Sequence, residues 1–317
     1  MKVLVTGGAG FIGRHTVRRL LDDGAQVLVL DDFSSSAADA LDEFAGRDGF
    51  ESMAADICDK PQVQGVFAHW RPEATVHLAG LVSVARSIAQ PEESHRLNVE
   101  GTRAVAEAAQ AADCRRFVFA SSAAVYADAE RLPLHEDDVL RPALSPYGAH
   151  KAETERLLRQ LDGAPMAIVI LRYFNVYGAG QPTDSPYSGV ITRFLDRLAR
   201  GLPLQVNGDG EQSRDFIHVA DVARVNAAAA AGRLGSDTYN VCTGVPATVN
   251  DLVAHLRKRV PDAEIRHAPP QPGEIRHSLG DAGKLAAALG EWRPTAFSPG
   301  IAQLLDGEFF PVQGAQQ

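Results

Sequence analysis

The chain has 317 residues, of which 45% are hydrophobic and 22% are charged, and this composition is typical of a folded enzyme rather than a disordered chain. Its net charge of −9 argues against nucleic acid or an anionic membrane surface as the main partner. No apolar run approaches the roughly 20 residues that cross a bilayer, so no membrane partner is expected. Cys58, Cys114 and Cys242 are odd in number, widely spaced and outside any CxxC motif, which predicts reduced thiols in a cytoplasmic protein.

The first half of the chain alternates short apolar runs with amphipathic stretches. Strands are predicted at 2–6, 26–30, 74–79, 115–121 and 166–172. Helices are predicted near 12–22, 61–69, 93–112 and 147–161. Strands that are apolar almost throughout and alternate with helices indicate a parallel sheet covered on both faces. With right-handed crossovers, this pattern predicts an α/β fold with a doubly wound parallel sheet, the Rossmann fold.

After residue 172 the pattern loosens, and Gly and Pro cluster in "NVYGAGQPTDSPYSG", "NGDGEQ" and "HAPPQPGE". Shorter helices are predicted at 189–200, 219–231, 248–259 and 282–289. We therefore expect a cofactor-binding domain over 1–172 and a smaller C-terminal α/β substrate lobe over 173–317, partly interleaved with the first.

Three glycines follow the first predicted strand and open the first predicted helix. Gly7, Gly10 and Gly13 permit a tight turn and a close approach of the backbone to a pyrophosphate, which the helix N-terminus attracts. Such spacing alone also occurs in ordinary glycine turns. The order of strand, glycines and helix, followed by a second strand that ends in an acidic residue, favours a dinucleotide site.

That acidic residue, Asp31, predicts the choice of cofactor. A carboxylate at the end of the second strand accepts hydrogen bonds from ribose hydroxyls and repels a 2′-phosphate. The segment "DDFSSS" contains no Arg or Lys that could bind a 2′-phosphate, so NAD is favoured over NADP. Asp32, next to Asp31, is a further candidate ligand of the cofactor. The alternative interpretation of Asp31 and Asp32 is a solvated turn. Asp56 and Ile57, expected after the third strand of the sheet, are candidates for contacts with adenine.

Ser122, Tyr147 and Lys151 are the candidate catalytic residues. Ser122 ends a predicted central strand, where ligands bind in open α/β sheets, and Tyr147 and Lys151 share one face of the next helix at i and i+4. A tyrosine is a poor base at neutral pH, but a neighbouring lysine and a positively charged nicotinamide ring would lower its pKa. Ser122 would hydrogen-bond the reacting oxygen. Taken singly, Tyr147 is better explained as a half-buried aromatic at a helix start, and Lys151 as a solvated charge. Together with Ser122 and the glycines, the pair predicts oxidation of an alcohol with hydride transfer to NAD.

These motifs resemble the extended short-chain dehydrogenase/reductase family, and most closely its NAD-dependent nucleotide-sugar 4-epimerases. The resemblance covers nearly the whole chain, through "TGGAGFIG", "HLAG", "NVEGT", "SSAAVY", "PYGAHK", "RYFNVYG", "NGDGEQSRDFIHVADVA" and "PGEIRHSLGD". His150 stands where the family usually has serine, and we interpret it as a tolerated helix residue. The resemblance implies that Tyr147 takes the C4 hydroxyl proton while NAD takes the hydride, and that the ketone then rotates before hydride returns to its other face.

The resemblance also implies which residues bind the cofactor and the UDP-sugar. The expected cofactor ligands are Gly7, Gly10, Phe11, Ile12, Gly13, Asp31, Asp32, Asp56, Ile57, Leu78, Ala79, Asn98, Tyr147, Lys151 and Tyr173. The expected substrate ligands are Ser122, Tyr147, Asn175, Val190, Gln205, Val206, Arg214, Glu274, Arg276 and Ser278. No metal is implied. Gln271 departs from the family, which commonly has a phosphate-binding arginine there; Arg266 and Arg276 are the alternatives that would compensate.

Two further positions bear on the reaction and the sugar. Ala123 and Ala124 occupy the positions of the acid and base that related 4,6-dehydratases need, which disfavours elimination of water. Ser278 is small where narrow-specificity epimerases have a tyrosine, so N-acetylated sugars are expected to be accepted alongside UDP-glucose and UDP-galactose.

Several alternatives stay open at this stage. They are UDP-glucuronate 4-epimerisation, a 4-keto reductase, dehydratase or decarboxylase of the same family, and a non-catalytic NAD-sensing protein. The resemblance also implies a homodimer paired through the helices near 93–112 and 147–161.

Overall fold

The computed structural model describes residues 1–129, 131–163, 166–182, 189–270 and 275–309. In chain order the strands are β1 (Lys2–Thr6), β2 (Gln26–Asp31), β3 (Phe50–Ala54), β4 (Ala74–His77), β5 (Arg116–Ser122), β6 (Ala167–Tyr173), β7 (Asn175–Tyr177), β8 (Leu204–Asn207), β9 (Ser213–His218), β10 (Asp237–Val241), β11 (Pro246–Thr248) and β12 (Ile265–Ala268).

The helices cover the two faces of the main sheet and make up much of the C-terminal lobe. They are α1 (Phe11–Asp22), α2 (Lys60–Trp70), α3 (Val84–Ala89), α4 (Pro91–His95), α5 (Thr102–Ala111), α6 (Pro146–Leu161), α7 (Val190–Ala199), α8 (Val219–Ala230), α9 (Val249–Arg259), α10 (Gly283–Leu289) and α11 (Phe297–Leu304). A π-helical segment, Arg96–Gly101, joins α4 to α5. No described helix combines the length and apolar character that a bilayer span needs.

Seven strands form the main sheet in the order β10-β6-β5-β4-β1-β2-β3, and every pairing is parallel. Successive side chains of a strand point to opposite faces, and β1 illustrates the result. Val3 and Val5 join one core with helices α1 and α8, whereas Leu4 joins the other core with α2, α5 and α6. The predicted doubly wound α/β fold is confirmed.

The structure adds two strands to the sheet whose positions the apolar pattern does not reveal, β3 and β10. Both lie at an edge of the sheet. β3 is mostly exposed, and β10 carries Asp237, Thr238 and Asn240 within five residues. An edge strand is paired on one side only and needs no continuous apolar run, which explains why neither appeared among the predicted strands.

Residues after 172 form a second core around two small sheets. One sheet has the order β11-β9-β7, and the other pairs β12 with β8. Apolar side chains of α7, α9 and α11 pack on them. β10 returns to the main sheet, so the chain after 172 contributes strands to both parts of the fold. The division into two domains at residue 172 stays a prediction.

Candidate active site

A cavity of about 760 Å³ lies at the carboxyl ends of the central strands. The neighbours of β1 are β2 and β4, which lead the chain in opposite directions across the sheet. Ligands of open α/β sheets bind at this kind of switch point, where the loops after adjacent strands diverge. Segments that follow β1, β2, β4, β5 and β6 all line the cavity.

The turn after β1 is shaped so that no side chain intrudes on the cavity floor. Gly7 has a φ of 68°, and its N–H donates to the Leu30 carbonyl at 2.9 Å. A Cβ on Gly7 would lie 2.6 Å from the backbone nitrogen of Ala79, and one on Gly13 would lie 2.2 Å from the Gly7 oxygen. The turn therefore requires glycine and leaves the first-turn N–H groups of α1 facing the cavity, an arrangement that fits a pyrophosphate.

Asp31 fixes this turn to the end of β2. Its carboxylate accepts hydrogen bonds from the N–H groups of Ala9 and Phe33, both at 2.9 Å. Burial raises the pKa of Asp31, and these two hydrogen bonds oppose the shift. Asp31 lines the cavity together with Asp32, so its remaining lone pairs are available to ribose hydroxyls there. These acceptor oxygens fit the ribose hydroxyls in the adenosine half of NAD.

Two expected cofactor ligands, Asn98 and Asp56, do not line the cavity and instead form hydrogen bonds that hold loops in place. The Asn98 side chain is buried and exchanges hydrogen bonds with the N–H and the carbonyl of Leu81, each at 3.0 Å, so it holds the loop after β4. Asp56 caps its own loop through the N–H of Cys58 and pairs with Arg96 at 3.2 Å. The other expected cofactor ligands, Phe11, Ile12, Ile57, Leu78, Ala79 and Tyr173 among them, line the cavity.

The three candidate catalytic residues converge on the same cavity. Ser122 ends β5, and α6 starts beside it because Ser145 caps the helix by accepting the Gly148 N–H at 3.3 Å. A Cβ on Gly148 would lie 2.7 Å from the Ala124 oxygen, so this glycine lets the first turn of α6 pack on the loop after β5. Ser122, Tyr147 and Lys151 therefore all line the cavity.

The protonation of Tyr147 differs from the expectation that its neighbours would lower its pKa. Burial raises the pKa of Tyr147, and the hydrogen bond with Ser122 opposes this shift. The Lys151 Nζ lies 5.9 Å from the Tyr147 ring centre and donates to the Ala120 carbonyl at 2.8 Å. Burial also lowers the pKa of Lys151 to about 8, with Glu155 acting in the opposite direction. In the protein alone, burial therefore outweighs the Ser122 hydrogen bond, and the pKa of Tyr147 lies above its ordinary value.

Behind these residues lies a buried ion pair that sequence analysis did not find. Arg172 donates to both carboxylate oxygens of Glu155, from Nε at 2.9 Å and from Nη2 at 2.7 Å. Ser121 donates to Glu155 at 2.5 Å, and Arg172 Nη1 donates to the Tyr126 hydroxyl at 2.9 Å. Glu155 is one helical turn after Lys151, so Arg172 ties α6 to β6 and Ser121 ties it to the end of β5, beside the candidate catalytic residues.

A second cavity of about 230 Å³ lies beside the first, among the C-terminal lobe elements β7, β8, β9 and α7. Asn175, Val176 and Gln181 line both cavities and so join them. Val190, Gln205 and Arg214, which were expected to bind substrate, line the smaller cavity. Its further polar lining residues, Arg193, Asn207 and Gln212, were not predicted.

The remaining expected substrate ligands lie elsewhere. Val206 points into the lobe core, because it alternates with Gln205 along β8. Arg276 forms an exposed ion pair with Asp209 at 2.7 Å, and the backbone N–H of Ser278 donates to the Ser213 carbonyl; neither residue lines a described cavity. Glu274 and Gln271 lie outside the described residues.

Comparison with known proteins identifies the family. The profile of the NAD dependent epimerase/dehydratase family matches residues 3–242. The chain belongs to this family. It is 39% identical to a UDP-glucose 4-epimerase of Mycolicibacterium smegmatis over 98% of each chain.

Two solved structures resemble this family member closely. A UDP-glucose 4-epimerase of Thermotoga maritima with UDP-glucose has a TM-score of 0.88 at 33% identity, covering 95% of this chain and 96% of that one. A UDP-N-acetylglucosamine 4-epimerase of Methanobrevibacter ruminantium M1, in complex with UDP-N-acetylmuramic acid, has a TM-score of 0.88 at 31% identity, covering 96% and 98%. The cofactor of this epimerase/dehydratase family member is NAD, as the sequence predicted.

The glycine turn of this family member gives a direct prediction about cofactor binding. We expect Gly13→Ala to weaken NAD binding by about tenfold or more, because the added Cβ meets the Gly7 carbonyl and the turn must open. Gly65→Ala in α2 is the matched control, since a Cβ there meets nothing within 4 Å. Titration of NAD into both variants measures the effect, and equal affinity in the two would contradict the role assigned to the turn.

Proposed function

We propose that the protein interconverts UDP-hexoses that differ in configuration at C4, by transient oxidation to the 4-ketone. The observation that carries the proposal is the meeting of Ser122, Tyr147 and Lys151 with the glycine turn in one cavity. A second, amide-rich cavity joins it through Asn175. This arrangement suits a nucleotide whose sugar reaches the catalytic residues, and the relatives named above act on UDP-sugars according to their names.

Each catalytic residue has a defined task in this reaction. Tyr147 accepts the proton of the C4 hydroxyl, Ser122 hydrogen-bonds the same oxygen, and Lys151, held by the Ala120 carbonyl, keeps its Nζ 5.9 Å from the Tyr147 ring centre. NAD, when bound, supplies the hydride acceptor and later the donor. After the ketone turns in the cavity, Tyr147 returns the proton to the oxygen on the opposite face, and no net redox change remains.

The residues after Ser122 favour epimerisation over loss of water. Elimination from the keto sugar needs an acid and a base next to C5 and C6. Ala123 and Ala124 follow Ser122 in the turn Ala123–Tyr126 and carry no ionisable group. The ketone is therefore left with rotation and reduction as its outcome.

The test is incubation with UDP-glucose and no added reduced cofactor, with products resolved by NMR. We expect UDP-galactose to accumulate to equilibrium without release of NADH. Turnover that requires fresh NAD or NADH for each cycle would instead identify a net oxidoreductase. A panel of dTDP- and GDP-sugars in parallel tests the choice of nucleotide.

Acceptance of N-acetylated sugars depends on Ser278. Ser278 is half-buried and lies between two isolated β-bridges. His277 forms one with Ser213 of β9, and Gly280 forms the other with Leu134. Ser278 lines neither described cavity, so the expectation rests on the resemblance to narrow-specificity epimerases, which have a tyrosine here: Ser278→Tyr should reduce turnover of UDP-N-acetylglucosamine selectively. Steady-state kinetics on both substrates measures the ratio, and an equal loss on both would remove Ser278 as the determinant.

We also propose a homodimer and a cytoplasmic location. Val84 and Ile88 of α3 and Leu144 before α6 are exposed apolar side chains close to the helices expected to pair. All three cysteines are unpaired, as in a reducing compartment. Light scattering coupled to gel filtration tests the first proposal, and a monomeric mass would refute it; cell fractionation tests the second.

A further inference from the structure

The smaller cavity contains a cation that the sequence did not single out, Arg193. This exposed residue lies in the first turns of α7, between the buried residues Thr192 and Phe194, and lines the cavity together with Arg214. Among the described residues, its guanidinium has no hydrogen bond or ion pair; only its backbone N–H is used, donating to Gly189.

The other arginines around this lobe are already engaged. Arg276 pairs with Asp209 and Arg266 pairs with Glu264, each at 2.7 Å, on the exposed surface. Arg214 donates to the carbonyls of Ser213 and Arg276. In a protein of net charge −9, a cation that lines a cavity and has no carboxylate partner among the described residues is available to an anionic ligand.

The surroundings of Arg193 suit a phosphate group rather than a neutral one. Gly189, the residue before α7, has no side chain with which to cap the first-turn N–H groups, and no acidic residue occupies that turn. Thr192 donates to Gln181 at 2.8 Å and so holds one of the residues at the junction of the two cavities. Arg193 therefore stands near the point where the nucleotide half of a ligand meets the sugar half.

We propose that Arg193 binds the diphosphate of the nucleotide sugar. The inference rests on the proposed function for the identity of the ligand, and it assigns the charge compensation to α7 rather than to Arg266 or Arg276. The planar guanidinium offers two parallel donors to phosphate oxygens, which an ammonium does not.

The experiment compares Arg193→Gln and Arg193→Lys with Arg200→Gln. Arg200 follows the last residue of the same helix, about 10 Å further along its axis, and pairs with Asp196, so its replacement removes the same charge away from the cavity. Dissociation constants for UDP and for uridine are measured by NMR titration. We expect Arg193→Gln to weaken UDP binding roughly 10- to 100-fold and to leave uridine within about twofold, with Arg193→Lys between. Arg200→Gln should leave both ligands within about twofold.

Three results would overturn the inference: unchanged UDP affinity in Arg193→Gln, an equal loss in Arg200→Gln, or an equal loss for uridine. A lack of UDP binding by the unaltered protein would overturn it as well. Turnover separates it from the proposed function. With a UDP-sugar, Arg193→Gln should raise KM and leave kcat nearly unchanged. UDP affinity that depends on Arg193 without any sugar interconversion would refute the proposed function alone.

Discussion

Tyr147→Phe is expected to lower kcat for UDP-hexose interconversion by roughly 10²- to 10⁴-fold, the range for loss of a general base. The change removes one hydroxyl from a side chain that is 8% exposed and leaves the ring in place. The backbone N–H of Tyr147 keeps its hydrogen bond to Ser87 at 3.1 Å, so the start of α6 should not move. Product formation followed by NMR measures the loss.

Two controls separate chemistry from folding in that variant. The NAD content of the purified protein and its midpoint of thermal unfolding should match those of the unaltered protein, because the ring still fills its site. Ser122→Ala should show a smaller loss with the same NAD content, since Ser122 assists the proton transfer that Tyr147 performs. Turnover by Tyr147→Phe at the unaltered rate would remove Tyr147 from the mechanism.

The apolar pattern predicted the centre of the fold because central parallel strands are buried on both faces. Lys2–Thr6 and Pro146–Leu161 lie within one residue of their predicted limits. The pattern failed at the sheet edges, where β3 and β10 are partly polar. It also treated 93–112 as one helix, although a π-helical segment interrupts it at Arg96–Gly101.

Those parts of the candidate site that are encoded by local motifs could be predicted, whereas those that depend on contacts between distant segments could not. The glycine turn and the Tyr147–Lys151 pair are local motifs, so their meeting in one cavity could be predicted from strand order. Asn98 shows the limit, since a motif residue holds the loop rather than lining the cavity. Arg193 carries no motif, and only its position against β8 and β9 reveals that it faces the cavity.

The pair Glu155–Arg172 could not be predicted, because its partners come from separate elements. Glu155 is on α6, Arg172 on β6, and the hydroxyl of Tyr126 that accepts from Arg172 donates in turn to Asn240 of β10 at 2.6 Å. Both charged side chains of the pair are 2% exposed. Burial and the Glu155 carboxylate act in opposite directions on Arg172, and the net effect raises its pKa. Arg172 therefore stays charged, and it needs the Glu155 carboxylate beside it to compensate that charge.

Glu155→Ala is therefore expected to destabilise the fold by about 3–5 kcal/mol, because it leaves the Arg172 guanidinium buried without its carboxylate. Urea unfolding monitored by circular dichroism measures the change. Asp196→Ala, which breaks the exposed pair with Arg200, is the matched control and should cost about 0.5 kcal/mol or less.

The double variant Glu155→Leu with Arg172→Met decides whether the pair or its separate charges matter. Replacing both ions by apolar groups removes the buried charge that each single change leaves behind, so the double variant should be more stable than either single one. Lys151 offers a second readout. Glu155 raises the pKa of that lysine against the effect of burial, so the double variant should shift the Lys151 titration to lower pH while NAD remains bound. If the double variant instead loses as much stability as the sum of the two single changes, the two residues act independently and the pair does not anchor α6 to β6.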